Sequence, residues 1–337
     1  MNVPAPPLTS MKLQNRGNSN ESMDSERIVL SVIIVTWNAR DYTLQCLKSL
    51  QAQGNALSTE IIIVDNASSD GTPESVKRAF PHVRVVQNET NLGFAKANNI
   101  GMQLSRGQYI CLINSDVNVP PGCLVVMHAY MEKKPEVGVL GPRMRGRDGH
   151  VGRSYMRFPT LWRMLCNSLA FSSLPNASSA FSGTMMTEFM NNHTAEVDVL
   201  NGWFLMVRRK ALEEVGLLDE RFFMYGEDID WSYRFHENGW KRVYFAGAEA
   251  VHYGGASSAN APTRFYIEMQ KANIQFWKKY NGRLSQFTFL MTVWLHQVIR
   301  VLGYGALFCV RGAACHGARI KVRRSFACLR WLSSVRP

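Results

Sequence analysis

The sequence predicts an α/β protein in which a Rossmann-like half, built on a mixed central sheet, is followed by a helical extension that associates with membrane. Three observations lead there. Continuous Val/Ile runs alternate with amphipathic helical stretches from Arg27 onward, the pattern of a largely parallel sheet covered on both faces. Three of the early strands run into polar residues at their carboxyl ends: Thr36, Trp37 and Asn38; Asp65 and Asn66; Asn114, Ser115 and Asp116. All of the excess positive charge lies near the C-terminus.

Residues 1–26 are rich in Ser, Asn, Pro and charge, without a period that buries a face, and are expected to be disordered. They contain no apolar h-region, so no secretory signal is expected. An apolar run from Ile28 to Val35 reads as the first strand, Tyr42 to Gln53 as a helix and Glu60 to Val64 as the second strand. A third strand is expected at Val83 to Gln87, a helix at Ala95 to Leu104 and a fourth strand at Tyr109 to Ile113. Ligands of open α/β sheets bind outside the carboxyl ends of the strands, so the three polar clusters should converge.

Residues 143–196 have abundant Ser, Asn and Met and no clear period, and read as a variable insertion over the site. Order returns at Val197 to Val207, followed by a helix near Lys210 to Val215, an acidic cluster around Glu227 and a strand from Arg242. The main domain is thus expected over residues 27–255 and a helical extension over 256–337. Helical spacing resumes from Thr263 to Tyr280, and two apolar runs, Phe287 to Ile299 and then on to Val310, flank Arg300. Neither run alone reaches the roughly 20 residues of a transmembrane helix. An interfacial helical hairpin is expected, with a packed amphipathic helix pair as the alternative.

The net charge is +12, and twelve Lys and Arg follow Glu268 without a single Asp or Glu, so the preceding region is neutral. Such asymmetry suits a tail that meets an anionic surface. Aromatic residues interleave with the tail's arginines, a mix that binds single-stranded nucleic acid, but the adjacent apolar runs make an anionic membrane the better partner and nucleic acid the lesser one. The seven Cys are scattered and form no C-x-x-C pair. That usage excludes a disulfide framework or zinc site and fits a reducing compartment. The expected location is the cytoplasmic face of the inner or plasma membrane.

Four constellations carry chemistry. Asp65 and Asn66 open DNASSDGT and offer a carboxylate and an amide to the donor edges of a pyrimidine base or to ribose hydroxyls; the plainer possibility is that Asp65 and Asp70 only cap and turn. LINSDV ends a strand in a hard oxygen ligand suited to Mg2+ or Mn2+ on a nucleoside diphosphate, although solvated loop Asp residues far outnumber metal ligands. FFMYGEDIDWSYR sets Glu227, Asp228 and Asp230 among aromatics, which favours partial burial and shifted acidity. One of the three acids suits a general base, while an acidic helix N-terminus also explains Glu227 and Asp230. His252, just after an apolar strand, is a lone histidine of a kind more often packed than ligating.

Taken in order, SVIIVTWN, VDNASSDGT, NLGFA with Asn98 and Asn99, LINSDV, NGWFLMVRR and YGEDIDWSYR resemble family 2 glycosyltransferases of the GT-A fold over roughly Ser31 to Tyr253. Within that family they look most like the rhamnosyltransferase-like branch of bacterial cell-wall and O-antigen assembly. The resemblance implies an inverting enzyme that takes a nucleotide sugar, dTDP-rhamnose before a UDP-hexose, and a lipid-linked or polysaccharide acceptor. It implies that Asp228 is the base, that Thr36, Asn38, Asp65, Asn91 and Asn114 face the donor, and that Trp203 and Glu227 lie on the acceptor side. Asp116, with His252, would hold Mg2+ or Mn2+, and Asn114 stands where the family's metal motif commonly has its first acid. A nucleotidyltransferase would carry a Gly-rich phosphate loop after the first strand, where Thr36 to Ala39 stand instead. A non-catalytic relative is disfavoured because Asp116, Asp228 and His252 are all present.

Overall fold

The computed structural model of the protein describes residues 28–169, 180–184, 186, 192–254, 262–311 and 316–334. The disorder expected of residues 1–26 and part of the 143–196 insertion lie outside these residues.

In chain order the elements are β1 (Leu30–Thr36), α1 (Arg40–Gln51), β2 (Thr59–Asp65), α2 (Thr72–Ala79), β3 (Arg84–Gln87), α3 (Phe94–Leu104), β4 (Tyr109–Asn114) and β5 (Val117–Asn118). There follow α4 (Cys123–Lys133), β6 (Val137–Gly146), β7 (Tyr155–Met156), α5 (Leu161–Ser168), β8 (Ala195–Glu196), β9 (Val199–Leu200), β10 (Phe204–Arg208) and α6 (Arg209–Val215). The chain closes with α7 (Glu227–Glu237), β11 (Lys241–His252), α8 (Pro262–Tyr280), α9 (Arg283–Arg311) and α10 (His316–Leu332).

The main sheet runs β3-β2-β1-β4-β10-β6-β11-β5, with β8 on β11. The first four strands are parallel, as their apolar runs require, and β10 enters antiparallel between β4 and β6. Side chains of β1 alternate between the two faces with the strand period. Val32 and Ile34 join Leu47 and Leu50 of α1 and Met127 and Met131 of α4, whereas Ile33 joins Met102 of α3, Leu212 of α6 and Trp231 of α7. From β1 the chain crosses to β2 on one side, and β4 pairs on the other. The switch between those neighbours opens a crevice at their carboxyl ends.

The insertion has more order than its sequence suggests. Strand β6 runs on to Gly146, β7 pairs with β9, and α5 is capped by the Thr160 hydroxyl accepting from the Arg163 amide. Short elements of two and eight residues carry too few apolar positions to reveal a period.

Beyond residue 255 the helices form a packed layer. Helix α8 seals Ala272 and Phe276 against Phe222 and Ile229 of the sheet-bearing half. Its other side joins α9 and α10 through Ile274, Trp277, Phe289, Val293, Cys328 and Leu332, with Trp277 and Phe289 stacked at 4.6 Å. The hairpin expected across Arg300 is corrected: α9 is one helix from Arg283 to Arg311 that runs through it. Arg300 is accommodated inside the layer, over the Tyr266 and Tyr304 rings, and its Nε donates to buried Ser325. Among the described residues no helix is long and apolar enough to cross a membrane.

Candidate active site

The strand ends converge as their sequence predicts. A cavity of about 600 Å3 is lined by Thr36, Asn91, Asn114, Asp116, Trp203, Glu227, Asp228 and His252. Two predicted donor residues do not line it. Asn38 lies in the loop after β1 at φ 49° and accepts from the Ser69 amide at 2.8 Å, which ties that loop to the one after β2. Asp65 is buried at the end of β2; its Oδ2 accepts from the Ser68 amide at 2.9 Å, and its Oδ1 has no partner. An unpartnered buried carboxylate oxygen is costly to leave unsatisfied, so Oδ1 is an acceptor in reserve. Asp70, by contrast, accepts from the amides of Arg40 and Thr72, the capping and turn role that was its plainer alternative.

Asp116 and His252 meet where the turn between β4 and β5 reaches the end of β11. Buried Asp116 sits just beyond β4, and its Oδ1 is 3.2 Å from Nε2 of His252 at the end of β11. The imidazole is held from its other side by Trp203, stacked at 5.4 Å between centroids and 21° between planes. Among the described residues no group of three His, Cys, Asp or Glu could hold a metal. One carboxylate and one imidazole fit an ion that completes its shell with substrate phosphates and water, as Mg2+ and Mn2+ do. Thr36 closes this end structurally, its hydroxyl paired with that of Thr43 at 2.8 Å.

The acid pair is set by a left-handed turn into α7. Gly226, at φ +79°, is the residue before the helix; a Cβ there would meet Ala272 at 2.9 Å. Tyr225 before it is also left-handed, at φ 67°, a conformation disfavoured for a bulky side chain and held here by its surroundings. Asp228 Oδ2 accepts from the Gly202 amide at 3.2 Å and Oδ1 from the Ile229 amide at 2.9 Å. Burial pushes its acidity toward higher pKa, against the lowering effect of those amides. Buried Glu227 is pushed well up, first by burial and then by the charge of Asp228, and its Oε2 has no partner. Neighbouring carboxylates that resist joint ionisation keep one proton between them. Asp230 is different: it is fully buried, bonded to Arg234, Lys279 and Tyr280, and pins α8 to α7.

Gly93 joins the donor side to this turn. At φ +83° its missing Cβ would lie 2.3 Å from the Phe223 carbonyl, which accepts the Phe94 amide at 2.8 Å. Asn91 receives the Gly93 amide at 2.9 Å, and Asn66 donates to the Gly93 carbonyl at 3.0 Å while accepting from Asn88. Asn66 thus organises the NLGF loop and lines the cavity, a role its place beside Asp65 hinted at. The cavity's far wall had no such signal: Tyr225, Asn273 and a set of methionines come from separated elements.

The sequence signature of glycosyl transferase family 2 matches residues 31–216. The chain belongs to glycosyltransferase family 2. It is therefore a glycosyltransferase, and the first five of the six ordered motifs lie within the matched residues. It is similar to the N-acetylglucosaminyl-diphospho-decaprenol L-rhamnosyltransferase of Mycobacterium tuberculosis, with 30% identity across 74% of this chain and 83% of that one. A hexosyltransferase of low-salt glycan biosynthesis from Haloferax volcanii is 23% identical over 61% of each chain. In fold, a mannosyltransferase from Pyrobaculum calidifontis, solved with GDP-Man and Mn2+, superposes with a TM-score of 0.55 at 16% identity, over 92% of this chain and 87% of that one. That likeness establishes the GT-A architecture.

Proposed function

We propose that this family 2 glycosyltransferase moves rhamnose from dTDP-rhamnose to a lipid-linked or polysaccharide acceptor in cell-envelope glycan synthesis, with inversion at the anomeric carbon. The observation that carries the reading is that Asp228 and the Asp116–His252 pair line one cavity at the carboxyl ends of the parallel strands. The mycobacterial relative, a rhamnosyltransferase by name, supports the choice of sugar.

Asp228 takes the proton of an acceptor hydroxyl, whose oxygen attacks the anomeric carbon as the bond to the diphosphate oxygen breaks. Its raised basicity suits that task. The backbone amides of Gly202 and Ile229 fix the carboxylate's direction. Asp116 and His252 are the residues that would hold Mg2+ or Mn2+, which supplies Lewis-acid stabilisation of charge developing on a departing nucleoside diphosphate. Thr36, Asn91 and Asn114 line the donor end, with Asp65 buried behind it at the end of β2, and Glu227 and Trp203 face the acceptor.

The site works at the cytoplasmic face of a membrane, held there by the outward face of α9. Phe289, Val293 and Gln297, four residues apart, are buried against the other helices. At about 100° per residue, the opposite face carries Leu284, Phe287, Met291, Trp294, Leu295 and Leu302, each between 41% and 79% exposed. A surface helix normally turns polar residues outward; this one turns apolar residues outward. Exposed Arg319, Lys321, Arg323 and Arg330 on α10 add positive charge without any acid, and the occupant that suits both is an anionic lipid surface.

The test is turnover by the full chain with Mn2+, a polyprenyl-diphosphate-linked sugar and a panel of nucleotide sugars. Release of dTDP from dTDP-rhamnose, abolished by a chelator and restored by Mn2+, is expected. Faster release from a UDP-hexose, or release indifferent to chelation, would overturn the donor or the metal assignment respectively.

A further inference from the structure

The two halves of the chemistry, the Asp228 carboxylate and the Asp116–His252 pair, are held by consecutive residues. The Gly202 amide donates to Asp228 Oδ2 at 3.2 Å. The indole of Trp203 lies face to face with the imidazole of His252, 5.4 Å between centroids and 21° between planes. Both belong to NGW, the turn between β9 and β10.

Trp203 is fixed before it meets His252. Its carbonyl accepts the Asn114 amide at 2.9 Å, two residues before Asp116, and Phe204 after it opens β10 opposite Ile113 of β4. The indole meets the Phe204 ring edge-on, at 5.8 Å and 86°, and shares a core cluster with Val117 of β5 and with Ala248 and Ala250 of β11. The residue is 5% exposed. A backbone set by the sheet and a ring packed at core density hold the indole in one place, so the face turned to His252 is preset.

His252 is the partner that needs holding. Its backbone pairs with Val117, and the Tyr253 amide donates to the Asp116 carbonyl at 3.0 Å, so the main chains of His252 and Asp116 are tied together. The tilt of the imidazole about Cβ–Cγ is not tied by them, and that torsion has broad minima. A metal-ligating imidazole commonly donates from its second nitrogen to a carboxylate or a backbone carbonyl, which sets the ring. Among the described residues the His252 ring has no such bond: it meets Asp116 through Nε2 at 3.2 Å and the flat of Trp203. Tilting the ring drives it into the indole.

We infer that Trp203 is a positioning residue for the metal pair: its indole face keeps the imidazole in the orientation in which Nε2 stands beside Asp116 Oδ1. This role rests on the proposed metal assignment of Asp116 and His252 and adds to the acceptor-side place of Trp203. The indole lines the cavity with the little that is left exposed, while its face is taken by His252. Because Gly202 and Trp203 are adjacent, one short turn sets the base and the metal pair in register.

The test follows Mn2+ itself, through the loss of the free ion's EPR signal on binding, with the full chain in the presence and absence of dTDP. Trp203→Met puts an adaptable apolar side chain without a flat face in the same space, and Trp203→Leu is a second ringless variant. Both are expected to weaken Mn2+ binding by about 10- to 100-fold. Trp203→Phe, which keeps a flat ring, should stay within about threefold of the parent. All three remove volume from the core and should lower the Tm, so packing alone predicts that Phe and Leu weaken Mn2+ equally. In a His252→Ala background, already weakened, Trp203→Met should take nothing further from Mn2+ affinity. Equal loss in the Phe and Leu variants, unchanged affinity in the Met and Leu variants, or a loss that adds in full to that of His252→Ala would overturn the inference. Failure of the metal assignment looks different. A parent that binds Mn2+ equally well after His252→Ala, or not at all, refutes that assignment and the positioning role with it, whereas dependence on His252 without dependence on Trp203 refutes the positioning role alone.

Discussion

Replacing Asp228 by Asn separates the base from everything else the residue does. The carboxylate accepts two backbone hydrogen bonds, from Gly202 and from Ile229. An amide has one oxygen, so one of them is lost, at a cost of about 0.5–1.5 kcal/mol. Against this, burial disfavours the charged carboxylate, and a neutral amide removes that penalty together with its repulsion of Glu227. The two effects oppose, so the variant should stay folded, within about 1 kcal/mol of the parent. The reaction loses its proton acceptor, and general-base removal typically costs 100-fold to 10,000-fold, or about 2.7–5.5 kcal/mol of barrier. Because the hydrogen bonds of Asp228 go to the Gly202 and Ile229 amides and not to a donor-side residue, dTDP-rhamnose should still bind. The assay is coupled detection of released dTDP at saturating acceptor, with donor affinity taken from thermal shift: kcat should fall by at least 100-fold with donor Kd changed less than about threefold. A variant that turned over within a few-fold of the parent would show that another group takes the proton.

Three further outcomes follow from the same geometry. Glu227 is raised above its ordinary value of 4.5 by burial and by Asp228, so the folded state binds more protons than the unfolded one from that value upward, and stability falls as pH rises through the interval. Glu227→Gln should flatten that dependence in thermal melts while leaving the acid limb of kcat, which follows Asp228, in place; parallel melts would contradict the burial-raised acidity of Glu227. Gly93→Ala places a Cβ 2.3 Å from the Phe223 carbonyl at φ +83°, and should destabilise by about 1–3 kcal/mol, read as a lowered Tm; an unchanged Tm would mean that the NLGF and FFMYG loops are not locked together. On α9, Phe287→Ser with Trp294→Ser should lower partitioning to vesicles rich in anionic lipid without altering the Tm, since both side chains are half exposed, and undiminished sedimentation with vesicles would discredit that face as the contact.

The sheet half was legible because its strands are buried on both faces. Leu30, Val32, Ile33 and Ile34 are all fully buried, and such a strand has to be a continuous apolar run. The expected strand and helix limits hold to within about two residues here, as such boundaries usually do. Where the sheet turns antiparallel, at β10, the sequence carries no mark, because direction depends on the connection and not on the strand's own residues. Helix α9 misled for a related reason: Arg300 breaks the apolar run, but its charge is absorbed by two tyrosine rings and a serine contributed by α8, α9 and α10. Periodicity on one helix cannot report a partner on another.

The same distinction divides the active site. Residues that meet the donor side come from short stretches directly after strands, so a local motif such as LINSDV carries both the strand and its terminal carboxylate. Asp116, Asn114 and Asn91, named from the sequence, line the cavity, whereas the side chains of Asn38 and Asp65 are turned to the Ser69 and Ser68 amides. The far wall of the cavity is assembled from β6, β7, α5, α8 and the turn before α7, elements far apart in sequence that contribute side chains of unremarkable type. A methionine has no motif. Donor chemistry constrains adjacent residues, because a diphosphate and a metal ion demand polar atoms at fixed loop ends, whereas the side chains of the far wall need only meet in the fold. The far wall of this cavity is for that reason legible only in the tertiary structure, where Met144, Met156, Met164, Met224 and Met269 come together from five segments.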